Sequence, residues 1–486
     1  MTTQAKAKTT TLDDVLAEAK FAPADEGYAD VKEAVSQMVK QASEAAPGTF
    51  TKVDRAAVDR AIAEIDAKIS AQLNQILHNK EFQRLESAWR GLEYMVDKVD
   101  FTQNIRLAVL NCTKNDLLND FEDAGKVEKS TLFRRVYTDG IGVYGGKPYG
   151  LVCSNFDFGP SGNDIDLLRN CAAVSTMAHA PFIANASTEF FGKGETSFEV
   201  LTKMRDMDSL FEMPQYARWR SFRESEDARN VGLCLPRFML RAPYSANDRR
   251  VTSFNFTEDT GGEHGGYLWG HSSIAFTSRV AASFAKYRWC PNIIGPNSGG
   301  AVEDLPVHEY EVLGKQHHKM PIEVQISDRR EFELANNGFI SLVHQKESDR
   351  GCFFSANSVQ KVPRSNDVEL QQSLELGAKL PYMFIVSRMA HYLKIRQREL
   401  LGSDMSRSQL EAELNKWIGN YVNNMETTDS KTRASKPLRW AKISVEDVAG
   451  EPGRYTCRLQ LRPHFKYNGA AFTLSLVGKV EKQAGK

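Results

Sequence analysis

No apolar run in this 486-residue chain approaches the roughly 18–20 residues that a helix needs to cross a bilayer. The opening string MTTQAKAKTT has no apolar stretch of the kind that marks a secretory leader. Cysteine is sparse and scattered: the seven, at positions 112, 153, 171, 234, 290, 352 and 457, never form a CxxC pair. That pattern argues against a disulfide framework or a zinc site, and several of these residues sit in apolar strings, where Cys acts as a small hydrophobe. Excess charge is missing too. The 62 Lys plus Arg balance 62 Asp plus Glu, which removes the global electrostatic case for nucleic acid or an anionic membrane. A cytoplasmic protein with no nucleic acid partner and no membrane insertion is expected.

Signatures of catalysis are equally scarce. No G-x-x-x-x-G-K-[ST] string and no G-x-S-x-G elbow occurs. His308-Glu309 lacks the second His that a zincin helix requires, and the adjacent His317-His318 cannot share a helix face. His264 and His271 flank a Gly-rich stretch with no Cys or carboxylate cluster to support them. GIGVYG, residues 140–145, matches G-x-G-x-x-G, but a dinucleotide site needs a strand before the motif and a helix after it. Gly146, Pro148 and an apparent strand come next instead, so a turn is expected. Arg218, Arg220 and Arg223 are interleaved with Asp206, Asp208, Glu224, Glu226 and Asp227, a mixture that favours ion-paired surface over a phosphate track. No catalytic residue, metal ligand or cofactor is expected. The alternative is a cytosolic nucleotide-binding enzyme using the 140–145 turn, and the element after Gly145, strand or helix, discriminates the two.

The chain is rich in patterning. With 41% hydrophobic and 26% charged residues it is an ordinary globular composition, long enough for about three domains. Residues 1–50 read as a loosely ordered segment with one short amphipathic helix, whose face carries Leu12, Val15, Leu16 and Ala19. Val31, Val35, Met38 and Ala42 mark a second, weaker one. Residues 51–100 read as helices: Val58, Ile62, Ile65, Ile69 and Ile76, then Phe82, Leu85, Trp89, Leu92 and Val96, recur at intervals of mostly three and four. The second stripe must be buried on its own domain or on a partner helix. Residues 101–370 mix strands (105–110, 149–158, 322–326, 338–344) with helices and Gly-rich loops. Residues 371–486 hold an apolar helix from Pro381, an amphipathic one over 410–425, a polar linker over 427–437, a strand over 440–448 and a final hairpin. The fold class expected is mixed α/β.

That hairpin, RYTCRLQLRPHFKYNGAAFTLSLVGKVEK at 454–482, is the most informative stretch. Tyr455, Cys457, Leu459 and Leu461 alternate with polar residues, and so do Phe472, Leu474 and Leu476. Period-two alternation marks a strand with one buried face, and Asn468-Gly469 supplies the turn between the two halves. A lone two-stranded ribbon leaves backbone N–H and C=O groups unpaired along its edges. Either the chain covers those edges itself or a partner strand adds to them.

Longer strings carry a family resemblance. EFQRLESAWRGLEYMVD (81–97), GGKPYGLVCSNFDFG (145–159), AHAPFIANAS (178–187), FRESEDARNVGLCLPRFMLRAPY (222–244) and LWGHSSIAF (268–276) are five of them. GGAVEDLP (299–306), ISDRREFELANNGFISLVHQK (326–346), LPYMFIVSRMAHYLK (380–394) and PGRYTCRLQLRPHF (452–465) continue in order. The chain resembles the large sheath subunit of the bacterial type VI secretion system, the VipB/TssC family. It departs at Asn155, where the family usually has Asp, and at Lys466-Tyr467. The resemblance implies a structural protein with an α/β core like that of contractile phage tail sheaths. Its partners would be a small sheath subunit of the VipA/TssB family, an inner Hcp tube, a baseplate and further copies of itself in a helical lattice. Neighbours would be linked by shared β-strands at the C-terminal ribbon, and a ClpV-type recycling ATPase would recognise an N-terminal helix, here matched by position to Leu12, Val15, Leu16 and Ala19.

Overall fold

In the strands Phe182–Ala186, Val231–Leu235 and Phe339–His344 almost every residue is apolar and every one is buried. Such strands suit the middle of a parallel sheet covered on both faces. The computed structural model describes residues 28–44, 55–246, 254–312, 314–425, 429–447 and 455–464. In chain order the elements that matter are α1 (Tyr28–Glu44), α2 (Arg55–Leu77), α3 (Lys80–Lys98), β1 (Val152–Phe158), α4 (Gly162–Ala178), β2 (Phe182–Ala186), β3 (Val231–Leu235) and α5 (Ser272–Tyr287). They continue with β4 (Ala301–Val302), β5 (Phe339–His344), β6 (Gly351–Phe353), α6 (Leu380–Glu399), α7 (Arg407–Gly419), β7 (Leu438–Asp447) and β8 (Tyr455–Pro463). The chain divides into two compact units, Met1–Leu77 with Tyr244–Glu258, and His78–Pro243 with Asp259–Lys486. Within the first, α2 leaves Ile62, Ile65, Ile69 and Ile76 exposed.

The second unit is built on a six-stranded sheet of order β1-β2-β3-β5-β6-β4. β1, β2, β3 and β5 run parallel, and β6 is antiparallel to both its neighbours. Alternate residues feed two cores. Phe182, Ala184, Leu233 and Phe339 join α4 and an aromatic cluster in which Phe190, Trp219 and Phe339 touch one another. Ile183, Cys234, Ile340 and Leu342 face α5 and the first turn of α6. Gly232 is required where the sheet meets α6, since a Cβ there would lie 2.8 Å from Leu380 Cδ1 and 3.0 Å from both Ile183 and Ile340.

α3 packs on its own unit through a face other than the expected stripe. Ser87 donates to the Trp269 carbonyl at 2.9 Å, Gly91 lies against Ile274, and Met95 is buried. Leu85, Trp89 and Val96 point outward, with Trp89 66% exposed. α6 is apolar almost all round as far as Leu393, and its last turn is polar. Leu380 and Phe384 enter the sheet core, while Tyr382, Ile385, Met389 and Leu393 join Leu414, Ile418, Leu438, Ile443 and Val445 in a separate C-terminal core.

Several expectations need correction. Residues 105–110 pair with no strand among the described residues, and Leu107, Val109 and Leu110 are exposed. Alternation alone cannot supply a neighbour to bond to. Over 322–326, Ile322, Val324 and Ile326 are buried, but the segment forms only a single bridge, Ile322 with Phe238. Residues 430–435 form a short helix, started by the Asp429 side chain accepting from Thr432 N. The helix expected over 410–425 begins at a Ser406/Gln409 capping box and stops at Gly419. Gly140 and Gly142 close a π-helical segment, Arg134–Gly142. A turn comes after it, with Gly146 N donating to Val143 O, and then β1. No strand leads into the motif and no helix leaves it, so the phosphate-cradling geometry of a nucleotide site is missing there.

Candidate intersubunit strand edge

β7 and β8 form a two-stranded antiparallel ribbon, with Ala441 opposite Leu461, Ile443 opposite Leu459, Val445 opposite Cys457 and Asp447 opposite Tyr455. The described partner of the 455–463 strand is therefore β7; the expected pairing with 472–476 falls outside the described residues. Tyr455, Cys457, Leu459 and Leu461 are half-buried and pack on the C-terminal core, while Thr456, Arg458, Gln460 and Arg462 are exposed. The alternation read from the sequence is thus the alternation of the strand's two faces. Phe472, Leu474 and Leu476, like Leu12, Val15, Leu16 and Ala19, lie outside the described residues.

The two edges of this ribbon are unlike. Along the outer edge of β7, Leu438 N donates to Tyr421 O, and Asn423 N donates to Leu438 O. Further along, α7 takes over with side chains. Asn415 Oδ1 accepts from Ile443 N at 2.9 Å, Asn415 Nδ2 donates to Ile443 O at 2.7 Å, and Glu411 Oε2 accepts from Val445 N at 3.0 Å. Asn415 and Glu411, one helical turn apart, imitate the amide groups of a neighbouring strand and close that edge. Because Ile443 and Val445 bond away from β8, their pairs with Leu459 and Cys457 are of the non-hydrogen-bonded kind. The N–H and C=O groups of Cys457 and Leu459 must then point away from β7, to the far edge of β8. Among the described residues no strand pairs with that edge. The residues whose side chains anchor the ribbon thus turn their backbone groups to this edge.

Asn415 was not visible as a functional residue in the sequence; its one signal is a polar residue on the buried flank of an otherwise apolar helical stripe. Asn415→Leu is expected to strand the Ile443 N–H and C=O, cost about 2–3 kcal/mol, and speed amide exchange at Ile443, read by hydrogen exchange with mass spectrometry.

His264, His271, Arg220 and Arg223 are held in structural contacts. His264 Nε2 lies 2.8 Å from Glu323 Oε1, and His271 Nδ1 lies 3.2 Å from Asp157 Oδ1. Glu323 also accepts from Phe198 N, twice from the Arg237 guanidinium and once from Arg237 N. This buried knot ties together the loops that follow β2 and β3. Burial pushes the Glu323 carboxyl up, but hydrogen bonds from His264 and Arg237, and then their charge, outweigh it and hold the group at about 2. His317 and His318 lie on one strand of a two-stranded hairpin with 308–312. Arg220 donates to the Phe211 and Met213 carbonyls, and Arg223 is buried on the backbone of Val359 and Asn336. Among the described residues no group of three or more His, Cys, Asp or Glu could hold a metal ion, and no helix is long and apolar enough to cross a membrane.

The α/β body thus carries a two-stranded ribbon closed on one edge by α7, with no strand on its other edge among the described residues. Two family models match: EvpB/VC_A0108, tail sheath N-terminal domain, over residues 59–360, and EvpB/VC_A0108, tail sheath gpW/gp25-like domain, over residues 369–480. The type VI secretion system sheath protein TssC1 of Pseudomonas aeruginosa is 39% identical over 458 residues, covering 92% of this chain and 91% of that protein. The chain belongs to the large sheath subunit family of the type VI secretion system, a family of structural sheath proteins. A cryo-EM structure of the anti-feeding prophage baseplate aligns over 77% of this chain and 83% of its own, at 10% identity and a TM-score of 0.38, a likeness too slight to bear on function.

Proposed function

We propose that this chain pairs with a small sheath subunit of the VipA/TssB kind and polymerises in the cytoplasm as a helical tube around an Hcp inner tube, seated on a baseplate. Contraction of the tube propels the inner one, and shared strands keep the subunits joined while the lattice rearranges. The observation that carries this reading is the far edge of β8, where no strand among the described residues pairs with the backbone of Cys457 and Leu459 while the opposite edge of the ribbon is sealed by α7. The outward stripe of Leu85, Trp89 and Val96 on α3 supports it as a further surface for assembly. Tyr455, Cys457, Leu459 and Leu461, with Phe472, Leu474 and Leu476 of the following segment, are the proposed linkage residues. Leu12, Val15, Leu16 and Ala19 are proposed as the site read by a ClpV-type ATPase after contraction.

Co-expression with the adjacent small-subunit gene tests the proposal. Rod-like particles in negative stain are the expected result. A compact monomer that never polymerises with that partner would overturn it.

A further inference from the structure

A cleft of about 1100 Å³ opens where the two family-matched regions meet, lined by residues of both and by the segment that connects them. Phe332, 64% exposed, and Phe354, 46% exposed, form an apolar rim that nothing described covers. Lys361, Arg364, Lys379 and Arg433 also line it, against only Glu331 and Glu375. Burial raises the Glu331 carboxyl above its ordinary range and likewise lowers the Lys379 ammonium below its own, so the two shifts oppose each other and the excess of basic side chains stands on their number. In the wall, Ser358 is 1% exposed and its Oγ has no hydrogen-bond partner among the described residues. That atom is too deeply buried for an occupant of the cleft to reach and does not bear on what fills it. Apolar rim and net positive lining together suit an acidic, apolar peptide.

Charge selects the occupant among the segments outside the described residues. Residues 465–486 carry Lys466, Lys479, Lys482 and Lys486 against Glu481 and would be repelled. Residues 11–26 carry Asp13, Asp14, Glu18, Asp25 and Glu26 against Lys20, together with Leu12, Val15, Leu16 and Phe21. We propose that this cleft receives residues 11–26 of a second copy of the chain, with the carboxylates on Lys361 and Arg364 and the apolar residues on Phe332 and Phe354. The choice of a neighbouring copy rests on the proposed polymer, since a lattice holds neighbours at high effective concentration. The charge match does not.

The test uses a fluorescein-labelled synthetic peptide of residues 9–27 and the full-length chain, purified with its small subunit, read by fluorescence anisotropy with no ATPase present. The peptide is expected to bind, and the exposed double substitution K361E/R364E to weaken binding about tenfold, the effect of two partly screened ion pairs at the rim. A peptide with Asp13, Asp14 and Glu18 replaced by Lys should bind wild type poorly and regain affinity for K361E/R364E. Binding within twofold of wild type for K361E/R364E, or no recovery with the charge-reversed peptide, would overturn the proposal. So would tighter binding of a 465–486 peptide in the same cleft. Tube formation scored on the same preparations separates failure of the cleft from failure of the polymer.

Discussion

Cys457→Pro is expected to leave the subunit folded while abolishing tubes. The Cys457 N–H points to the far edge of β8, so a proline there removes no bond to β7. The preceding residue, Thr456, is already extended, as a residue before proline must be. The subunit loses only the thiol's packing and accepts a strained φ, together on the order of 1 kcal/mol. An incoming strand, however, meets a missing donor and a ring in its path. Arg458→Pro reverses the outcome for the fold: that residue pairs with Ser444 in the hydrogen-bonded register, so the ribbon itself is broken. Thermal melts and negative-stain counts on the two variants, each co-expressed with the small subunit, give the comparison. Normal tube yield from Cys457→Pro would remove the strand-sharing mechanism. A large drop in Tm from Cys457→Pro would mean that the chain covers this edge itself.

Glu323→Gln is the second change with a large expected effect, and its signature is a pH profile. The carboxyl sits fully inside the knot formed with Arg237, His264 and Phe198 N. Its folded value, about 2, lies below its ordinary 4.5. The unfolded chain therefore takes up a proton more readily than the native one. The stabilisation, about 3 kcal/mol for a shift of that size, is fully present above pH 4.5 and is lost as pH falls toward 2. Glu323→Gln should lower the Tm at neutral pH, because Arg237 is left without its counter-charge in a largely buried position. It should also flatten the dependence of Tm on pH between 4.5 and 2. An equal slope in variant and wild type would show that the knot does not carry the acid sensitivity.

The two large effects differ in how far the sequence announced them. β8 was legible because period-two alternation needs only nine consecutive residues, and each of its predicted inward residues does pack on the core. That β7 lies on one of its edges was not legible, and the expected pairing with 472–476 falls outside the described residues. Alternation states which face is buried, not which strand lies alongside, and β7 and the 472–476 stretch offered equal patterns. The largely apolar character of α6 as far as Leu393 and of β5 likewise showed through. Residues 105–110 misled for the opposite reason, since they alternate without any sheet to join. Glu323 lies 59 residues from His264 and 86 from Arg237, so no local spacing could have announced the knot. Asn415 and Glu411 acquire meaning only once β7 lies beside their helix.

In the proposed polymer, the double burial of α6 would set how load is borne. One side of that helix is clamped beside Ile183 and Ile340, and the other supports the ribbon through Leu438, Ile443 and Val445. A pull at the ribbon would then pass through α6 to the central sheet, bypassing the connecting segment 361–368.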